Sequence, residues 1–242
     1  MLTPPFISAR ELALTLRNTG HAAVSPAGLC ELAGVALADL RALAPSWNEL
    51  PPDAYLRDGG RYRRRRHSCF VLDGEVVTQA PHRAHWQPVE YNALHGGLER
   101  WFEPMDPTVV ASDAWPRLLR ALGATCSAVK GARPWFVEAH QFRIDTTDGI
   151  GRPTPEGAHR DGVDLVAVIL VERIGIKGGE TRVFEAQGPS GIRFTMSEPW
   201  TLLMLDDERV IHESTPIQPL ELGGHRDTLV LTFRAGGFQG PA

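Results

Sequence analysis

Lysine is almost absent from this chain of 242 residues, and cysteine and tyrosine are scarce. The only lysines are Lys130 and Lys177, and there are three cysteines and three tyrosines. The cysteines are far apart and form no CxxC pair, so they do not match a disulfide framework. The first twenty residues contain Arg10, Glu11 and Arg17 and do not match a secretory signal peptide. These features predict reduced thiols and a cytoplasmic location.

An excess of one charge and long apolar runs are also missing. The formal net charge is −4, so no basic excess points to a nucleic-acid partner. No run approaches the roughly eighteen consecutive apolar residues that suggest a membrane span. We therefore predict neither a nucleic-acid partner nor a membrane span. With 43% hydrophobic residues the chain can form one large domain without disulfide bonds. Composition leaves open whether it is a monomer or a homodimer.

Helix signals dominate the first 45 residues. Ser8 and Glu11 have the spacing of a capping box, in which each residue satisfies a backbone or side-chain donor of the other. Ser25-Pro26 opens a second helix, because proline is well tolerated at the first helical position. A short strand is predicted between the two helices, at "HAAVS".

An arginine-rich segment, "GRYRRRRHSCF", precedes an Asp73-Gly74 turn and predicts a β-hairpin. Strand alternation places Arg63, Arg65 and His67 on one face. Such a run usually forms a solvated face or an edge strand. The alternative is that it faces a pocket and binds a carboxylate, which makes Arg63 a candidate substrate-binding residue.

Short strands separated by glycine and proline turns fill the chain from residue 135 onward. "WFVEAHQFRID" and the continuously apolar "VDLVAVILVERI" are followed by further short apolar segments without a long helix. This pattern is typical of a sandwich or barrel, and a jelly roll is the form that encloses a ligand-sized mouth. We predict a mainly β jelly roll with N-terminal helices. We expect one domain, 1–242, with a catalytic core at 131–236 and a helical and β elaboration, 1–130, packed on that core.

Two residues in "GAHRDGVD" (157–164) have the spacing of metal ligands. His159 and Asp161 are two positions apart, which on an extended segment directs both side chains to the same side. His212, in "VIHEST", can supply a third ligand from a later strand. Two histidines and one carboxylate leave three positions open on an octahedral metal, as in non-haem Fe(II) oxygenases. Each residue alone has an ordinary explanation, such as an Asx turn at Asp161, so the prediction depends on their combination.

A possible anion-binding pair follows His212 by fourteen residues. Arg226 and Thr228 lie on one face of the strand "RDTLVLTFR". A guanidinium fork with a nearby hydroxyl suits a carboxylate ligand. The alternative is that Arg226 is exposed, because it follows a Gly223-Gly224 turn.

The HxD motif, the distant histidine and the Arg-x-Thr pair resemble the 2-oxoglutarate/Fe(II)-dependent dioxygenase superfamily, whose members share a double-stranded β-helix, a cupin-like jelly roll. "RYRRRRHSCF", "PTPEGAHRDG", "GGETRVF" and "HESTPI" are similar to a bacterial branch that includes hydroxylases of free aliphatic L-amino acids of the isoleucine type. The resemblance implies that His159, Asp161 and His212 bind Fe(II). It also implies that Arg226 and Thr228 hold the far carboxylate of 2-oxoglutarate, and that O₂ is the oxidant.

Two further residues are expected to contact the substrate, and a third is expected to affect the iron. Gln141 and Arg143 share one face of the strand before the HxD loop, and we expect both to face the cavity and contact the substrate. The alternative is that they lie on the outer, solvated face. Glu213, beside His212, departs from the branch pattern of smaller or apolar residues and is expected to alter the surroundings of the iron.

Two other functions fit part of the pattern. A cupin-like metal-dependent hydrolase or isomerase would work with Zn(II) or Mn(II) and would not need 2-oxoglutarate. A non-enzymatic β-sandwich that binds a small molecule would keep its function after His159→Ala.

Overall fold

The computed structural model describes residues 2–92 and 94–241. In the N-terminal half its elements are β1 (Phe6–Ile7), a 3-10 helix (Ala9–Glu11), α1 (Leu12–Thr19), β2 (His21–Val24), α2 (Pro26–Ala33), α3 (Leu37–Arg41), a second 3-10 helix (Ala44–Glu49), β3 (Arg63–Asp73), β4 (Val76–Gln79), α4 (Pro107–Val110) and α5 (Ala114–Lys130). The predicted capping box is present, because Ser8 donates from both its N–H and its hydroxyl to Glu11. Ser25 caps α2 by accepting from the N–H of Gly28 at 3.2 Å.

The second half is almost entirely β. Its strands are β5 (Trp135–Asp145), β6 (Leu165–Ile174), β7 (Ile176–Gly178), β8 (Thr181–Glu185), β9 (Gly191–Phe194), β10 (Leu202–Asp206), β11 (Val210–Ser214), β12 (Ile217–Pro219) and β13 (His225–Ala235). The expected mainly β jelly roll with N-terminal helices is confirmed. None of the helices in the described ranges is long and apolar enough to cross a bilayer.

One large sheet runs through both halves of the chain. Its eight strands have the order β1-β2-β10-β6-β13-β5-β3-β4, and β13 pairs along its length with β5 on one side and with β6 on the other. Strand pairing joins the segment 1–130 to the segment 131–236, because β3 pairs with β5 and β2 pairs with β10. A smaller sheet, β11-β8-β9, and the pair β12-β7 complete the β structure among the described residues.

The two faces of the large sheet have different partners. Helices α1, α2 and α5 cover one face and form the main apolar core with it. The other face packs on the small sheet through a second apolar cluster that includes Val166, Val183 and Val210. Strand alternation sends neighbouring residues of β5 to opposite faces. Beside the second cluster lies a cavity with a mixed polar and apolar lining, to which β5 contributes alternate residues from Phe136 to Ile144.

Candidate metal centre and substrate cavity

His159, Asp161 and His212 converge on one point of the cavity wall. The Nε2 atoms of His159 and His212 lie 3.8 and 3.7 Å from the two carboxylate oxygens of Asp161. The centroids of the two imidazole rings are 4.6 Å apart. Ligand atoms bound at about 2.1 Å to an octahedral ion lie about 3 Å apart in cis positions, so a small inward movement lets all three bind one ion.

The backbone brings these ligands together across two segments. His159 precedes the long strand β6, whereas His212 lies in β11, and the two residues form an isolated β-bridge. Each donates its backbone N–H to the carbonyl of the other at 3.0 Å. The HxD spacing then directs Asp161 to the same side as His159. The structure thus brings together the three predicted ligands, from residues that are 53 positions apart in the sequence.

The tautomer of His159 suits metal binding. Its Nδ1 lies 3.0 Å from the carbonyl oxygen of Gly157, which can only accept a hydrogen bond, so Nδ1 carries the proton and Nε2 keeps a free lone pair. Gly157 has φ +81°, a left-handed conformation that glycine adopts without strain. Burial lowers the pKa of His159, but the charges of Asp161 and Glu156 outweigh it and the pKa is raised. Burial and the neighbouring His159 lower the pKa of His212.

A carboxylate that sequence analysis missed holds the turn after the motif. Asp207 accepts from the backbone N–H groups of Asp161, Gly162 and Val163 at 3.0, 2.7 and 3.1 Å. Gly162 has φ +76°, and a Cβ there would lie 2.4 Å from the Tyr91 ring, so the turn requires glycine. Burial and the charge of Asp161 raise the pKa of Asp207 to about 7, although the three N–H groups favour its ionised form.

A buried amide also orients Asp161. Gln87 donates from Nε2 to the Asp161 carboxylate at 3.2 Å. Its own carbonyl oxygen accepts from Asn92 at 3.1 Å and from Arg100 at 2.8 Å, so the amide cannot rotate without losing hydrogen bonds. The sequence carries no signal for this network, because its residues precede Asp161 by 61 positions or more and form no recognisable spacing.

Arg226 and Thr228 line the same cavity from the central strand β13. Both are buried, with 4% and 3% of their surface exposed, so the alternative of an exposed Arg226 is excluded. Within the described ranges Arg226 forms no hydrogen bond or ion pair with a protein side chain. Burial, together with the nearby Arg173, lowers the pKa of Arg226 to about 10, which leaves the guanidinium charged at neutral pH. An unpaired buried cation next to a hydroxyl fits the far carboxylate of 2-oxoglutarate.

The three expected substrate residues have different positions. Arg63 lines the cavity and donates to Asp53 at 2.7 Å. The expectation that Gln141 and Arg143 face the cavity is wrong, because the alternation of β5 points them to its opposite face. Gln141 is fully buried and donates to Ser46 at 2.8 Å, whereas Arg143 forms an ion pair with Asp227 at 2.6 Å. Neither side chain faces bulk solvent, so the alternative that both lie on a solvated outer face is also wrong.

Glu213 does not approach the predicted metal ligands. It follows His212 in β11, so its side chain points to the other face of the small sheet. There its carboxylate accepts from Arg182 at 3.1 Å, on the neighbouring strand β8. Glu213 therefore makes no direct contact through which it could alter the surroundings of the iron, as had been expected.

A second group of potential ligands lies on the wall formed by β3 and β5. This imidazole cluster consists of Glu138 surrounded by His67, His85 and His140, whose potential ligand atoms all lie within 4.8 Å of one another. Glu138 Oε2 is 2.5 Å from His85 Nδ1 and 3.2 Å from His67 Nε2. Burial opposes the ionisation of Glu138, but His85 and His67 outweigh it and hold the pKa of Glu138 well below its usual range.

The surroundings of the imidazole cluster disfavour a cation there. Arg65 donates to Nδ1 of His140 at 2.8 Å, which leaves the proton of neutral His140 on Nε2, the atom that faces Glu138. Burial is the main reason that the pKa values of all three histidines are lowered, and the charge of Arg65 lowers them further. We therefore interpret the cluster as a hydrogen-bonded network around an ionised carboxylate, and the HxD site as the metal centre.

Comparison with known proteins agrees with this geometry. Residues 44–232 match the family model described as 2OG-Fe dioxygenase, a span that includes all three predicted metal ligands, Arg226 and Thr228. The crystal structure of a bsmA homolog from Methylobium petroleophilum PM1 is 51% identical, with a TM-score of 0.94, and the match covers 99% of this chain and 98% of that one. No curated protein matches the sequence.

More distant structures share the fold. IDO from Bacillus thuringiensis is 16% identical, with a TM-score of 0.76, and the match covers 98% of this chain and all of that one. TqaL, an Fe(II)/(alpha)ketoglutarate-dependent dioxygenase, is 20% identical, with a TM-score of 0.72 and coverage of 96% and 90%. At these identities the likeness extends to the fold alone.

Proposed function

This chain belongs to the 2OG-Fe dioxygenase family, and we propose that it hydroxylates a free aliphatic L-amino acid. It is a non-haem iron dioxygenase that uses Fe(II), 2-oxoglutarate and O₂. The observation that carries the proposal is that the HxD site and the buried, unpaired Arg226 open into one cavity. A small-molecule substrate agrees with the enclosed shape of that cavity.

The residues of the chain have separate roles in this reaction. His159, Asp161 and His212 would hold Fe(II) and leave three positions for 2-oxoglutarate and O₂. Arg226 and Thr228 would orient 2-oxoglutarate by its far carboxylate. When bound, the iron supplies the oxidising chemistry, in which 2-oxoglutarate and O₂ yield succinate and CO₂ while one oxygen atom enters a C–H bond of the substrate. The apolar part of the lining, which includes Phe136, Phe142 and Val230, would shield that C–H bond from water.

The choice of an amino acid as substrate has two supports. One is the resemblance of the quoted motifs to amino-acid hydroxylases. The other is the surplus of buried arginine that lines the cavity: Arg63 and Arg65 lie near Asp53, whereas Arg100 has no carboxylate within 4.0 Å and suits a substrate carboxylate. The cytoplasmic location is part of the proposal and is supported by three free cysteines, Cys30, Cys69 and Cys126.

The test is succinate formation with Fe(II), 2-oxoglutarate and each of the twenty free amino acids in turn. We expect one or a few aliphatic L-amino acids to stimulate turnover strongly and to gain one oxygen atom by mass spectrometry. Turnover that no amino acid stimulates, but that a peptide or a lipid does, would contradict the proposed substrate. Turnover of a substrate with Zn(II) and without 2-oxoglutarate would instead favour the hydrolase alternative.

A further inference from the structure

The carboxylates that line the cavity are not equally available to a ligand. Glu138 is enclosed by the imidazole cluster, and Asp161 is a predicted metal ligand. The third carboxylate, Glu156, has one oxygen, Oε2, that is buried and has no hydrogen-bond partner in the described part of the chain. Its other oxygen, Oε1, lies 3.6 Å from His159 Nε2, the atom that would bind the metal. Glu156 is therefore the one lining carboxylate left to bind an incoming cation.

The arginines that line the cavity can be sorted in the same way. Arg63 donates to Asp53 at 2.7 Å, and Arg65 lies 3.9 Å from the same carboxylate. Arg226 is assigned to 2-oxoglutarate, and Arg234 donates to the backbone carbonyl of Gly237 at 2.8 Å.

Arg100 is different from these four. It is 1% exposed, and among the described residues no carboxylate lies within 4.0 Å of it. Its Nε has no partner there either. Burial lowers the pKa of Arg100 to about 10, so it is charged at neutral pH and lacks an anion in contact.

Both unpaired charges lie next to the metal centre. The loop that carries Glu156 is fastened beside His212, because Thr154 and Ser214 exchange hydrogen bonds of 2.9 and 3.1 Å. Arg100 reaches the metal ligand Asp161 through Gln87 alone, over 2.8 and 3.2 Å. The two charges line the same cavity but do not form an ion pair with each other at 4.0 Å or less, so each is available to a ligand group of the opposite charge.

We propose that Arg100 and Glu156 bind the two charges of a zwitterionic α-amino acid, Arg100 its carboxylate and Glu156 its ammonium. This inference rests on the proposed function and adds to it the residues that select the substrate. Neither charge alone requires a zwitterion, but an unpaired cation and an unpaired anion that line one cavity match a ligand that carries both. The ammonium then lies beside His159, and the aliphatic side chain meets the apolar lining, Val163, Val168 and Val230.

Three probes that share the sec-butyl group of isoleucine separate the two charges. L-Isoleucine has both, 3-methylpentanoate lacks the ammonium, and 2-methylbutylamine lacks the carboxylate. Their binding to the intact protein loaded with Fe(II) and 2-oxoglutarate is measured by anaerobic calorimetry, so that no turnover is needed. We expect the wild type to bind L-isoleucine about 10-fold or more tightly than either analogue, because each charged hydrogen bond contributes to affinity.

The variants should change selectivity in opposite ways. Glu156→Gln should weaken L-isoleucine about 10- to 100-fold and leave 3-methylpentanoate nearly unchanged. Arg100→Lys, which keeps the buried charge but not the fork, should weaken L-isoleucine and 3-methylpentanoate and leave 2-methylbutylamine nearly unchanged. Glu75→Gln and Arg10→Lys are matched controls, because these side chains are 94% and 90% exposed and far from the cavity. The iron–2-oxoglutarate absorption band confirms that each variant is loaded.

The outcomes separate this inference from the proposed function. If amino acids turn over but Glu156→Gln weakens all three probes equally, or none, the Glu156 assignment is wrong and the proposed function remains. If wild type and variants bind as expected but no amino acid turns over, the charge-binding site remains and the proposed function is wrong. If none of the twenty free amino acids binds to the loaded wild type, both are wrong.

Discussion

The amide of Gln87 donates a hydrogen bond over 3.2 Å to the carboxylate of Asp161, a predicted metal ligand 74 positions later in the chain. Gln87 does not bind the metal, but it fixes the direction of a residue that does. Such outer partners of metal ligands often contribute 10- to 100-fold to metal affinity.

Gln87→Ala should therefore weaken Fe(II) binding about 10-fold without changing the fold. Anaerobic titration with Fe(II), checked by circular dichroism, measures both properties. Gln187→Ala is the matched control, because Gln187 is exposed in the turn between β8 and β9. Equal affinities of the Gln87 and Gln187 variants would show that Asp161 needs no orienting partner.

Removal of a predicted ligand should have a larger effect. His159→Ala, Asp161→Ala and His212→Ala should each reduce Fe(II) affinity by more than about 100-fold, because a lost ligand exceeds the effect of a lost outer partner. His225→Ala is the control, since His225 lies near Glu172 and Asp227 in a separate group of acidic and imidazole side chains. Retention of one equivalent of iron by all three ligand variants would place the metal elsewhere.

Arg226 should affect 2-oxoglutarate and not iron. Loss of one member of a buried charge pair costs about 2–5 kcal/mol, so Arg226→Ala should weaken 2-oxoglutarate binding about 30-fold to a few thousand-fold. Arg226→Lys should recover only part of this loss, because an ammonium lacks the bidentate fork. The metal-to-ligand absorption band under anaerobic conditions gives the affinity. Arg234→Ala, on the same face of β13, is the control and should bind 2-oxoglutarate like the wild type.

Acid should destabilise the fold through the imidazole cluster. Burial lowers the pKa of His85 to about 4, below its ordinary value of 6.5. Between these two pH values the unfolded chain binds more protons than the folded protein. The contribution of His85 to the free energy of unfolding is therefore complete above this pH range and is lost as pH falls through it. Glu138 acts in the same direction. Because its pKa is lowered in the folded protein, its contribution to stability is present above the ordinary pKa of a glutamate and is lost as pH falls.

We expect the free energy of unfolding to be about 2–3 kcal/mol lower at pH 4.5 than at pH 7 from His85 alone. Urea unfolding followed by tryptophan fluorescence across this range measures it. His85→Gln should flatten the pH dependence, whereas Gln187→Ala, which changes an exposed side chain that does not titrate, should leave it unchanged. A wild-type profile that is flat from pH 7 to 4.5 would contradict the lowered pKa of His85.

Arg143 should matter for stability and not for substrate binding. Its partner Asp227 has a side chain only 1% exposed, so Arg143→Ala strands a buried carboxylate and should cost about 3 kcal/mol. Arg61→Ala, which breaks an ion pair in which Arg61 is 81% exposed, should cost less than about 1 kcal/mol. Thermal unfolding and amino-acid affinity are measured on both variants. A loss of affinity in Arg143→Ala without a loss of stability would reverse this assignment.

The sequence predicted the metal site because its signal is local and chemical. His159 and Asp161 are two positions apart. His212 lies in a segment with the pattern of a strand, which can pair with the segment of His159. Arg226 and Thr228 line the cavity as expected from their spacing on β13, and their role in binding 2-oxoglutarate stays a prediction. Gln141 and Arg143 were misplaced because alternation shows which residues share a face but not which face is the inner one.

Long-range partners could not be predicted from a single sequence. Gln87, Arg100 and Asp207 reach the metal ligands only because the loop after β4 and the turn after β10 fold over the cavity. No spacing or composition connects them to the motif. Glu156 was visible in the quoted motif, but its unpaired oxygen is a property of the folded cavity and has no counterpart in the sequence.

The position of β13 in the middle of the large sheet has a consequence for how the protein loses its metal. The residues proposed to bind 2-oxoglutarate lie on a strand hydrogen-bonded along its length on both sides, whereas His159 is joined to His212 by a single β-bridge. Local opening free energies follow such differences in hydrogen bonding. Amide exchange at His159 should therefore be faster than at Val230, and a chelator can remove iron through brief opening of the loop while the sheet stays closed. The rate of iron release would then be set by the loop, and it would be insensitive to mutations that change only global stability.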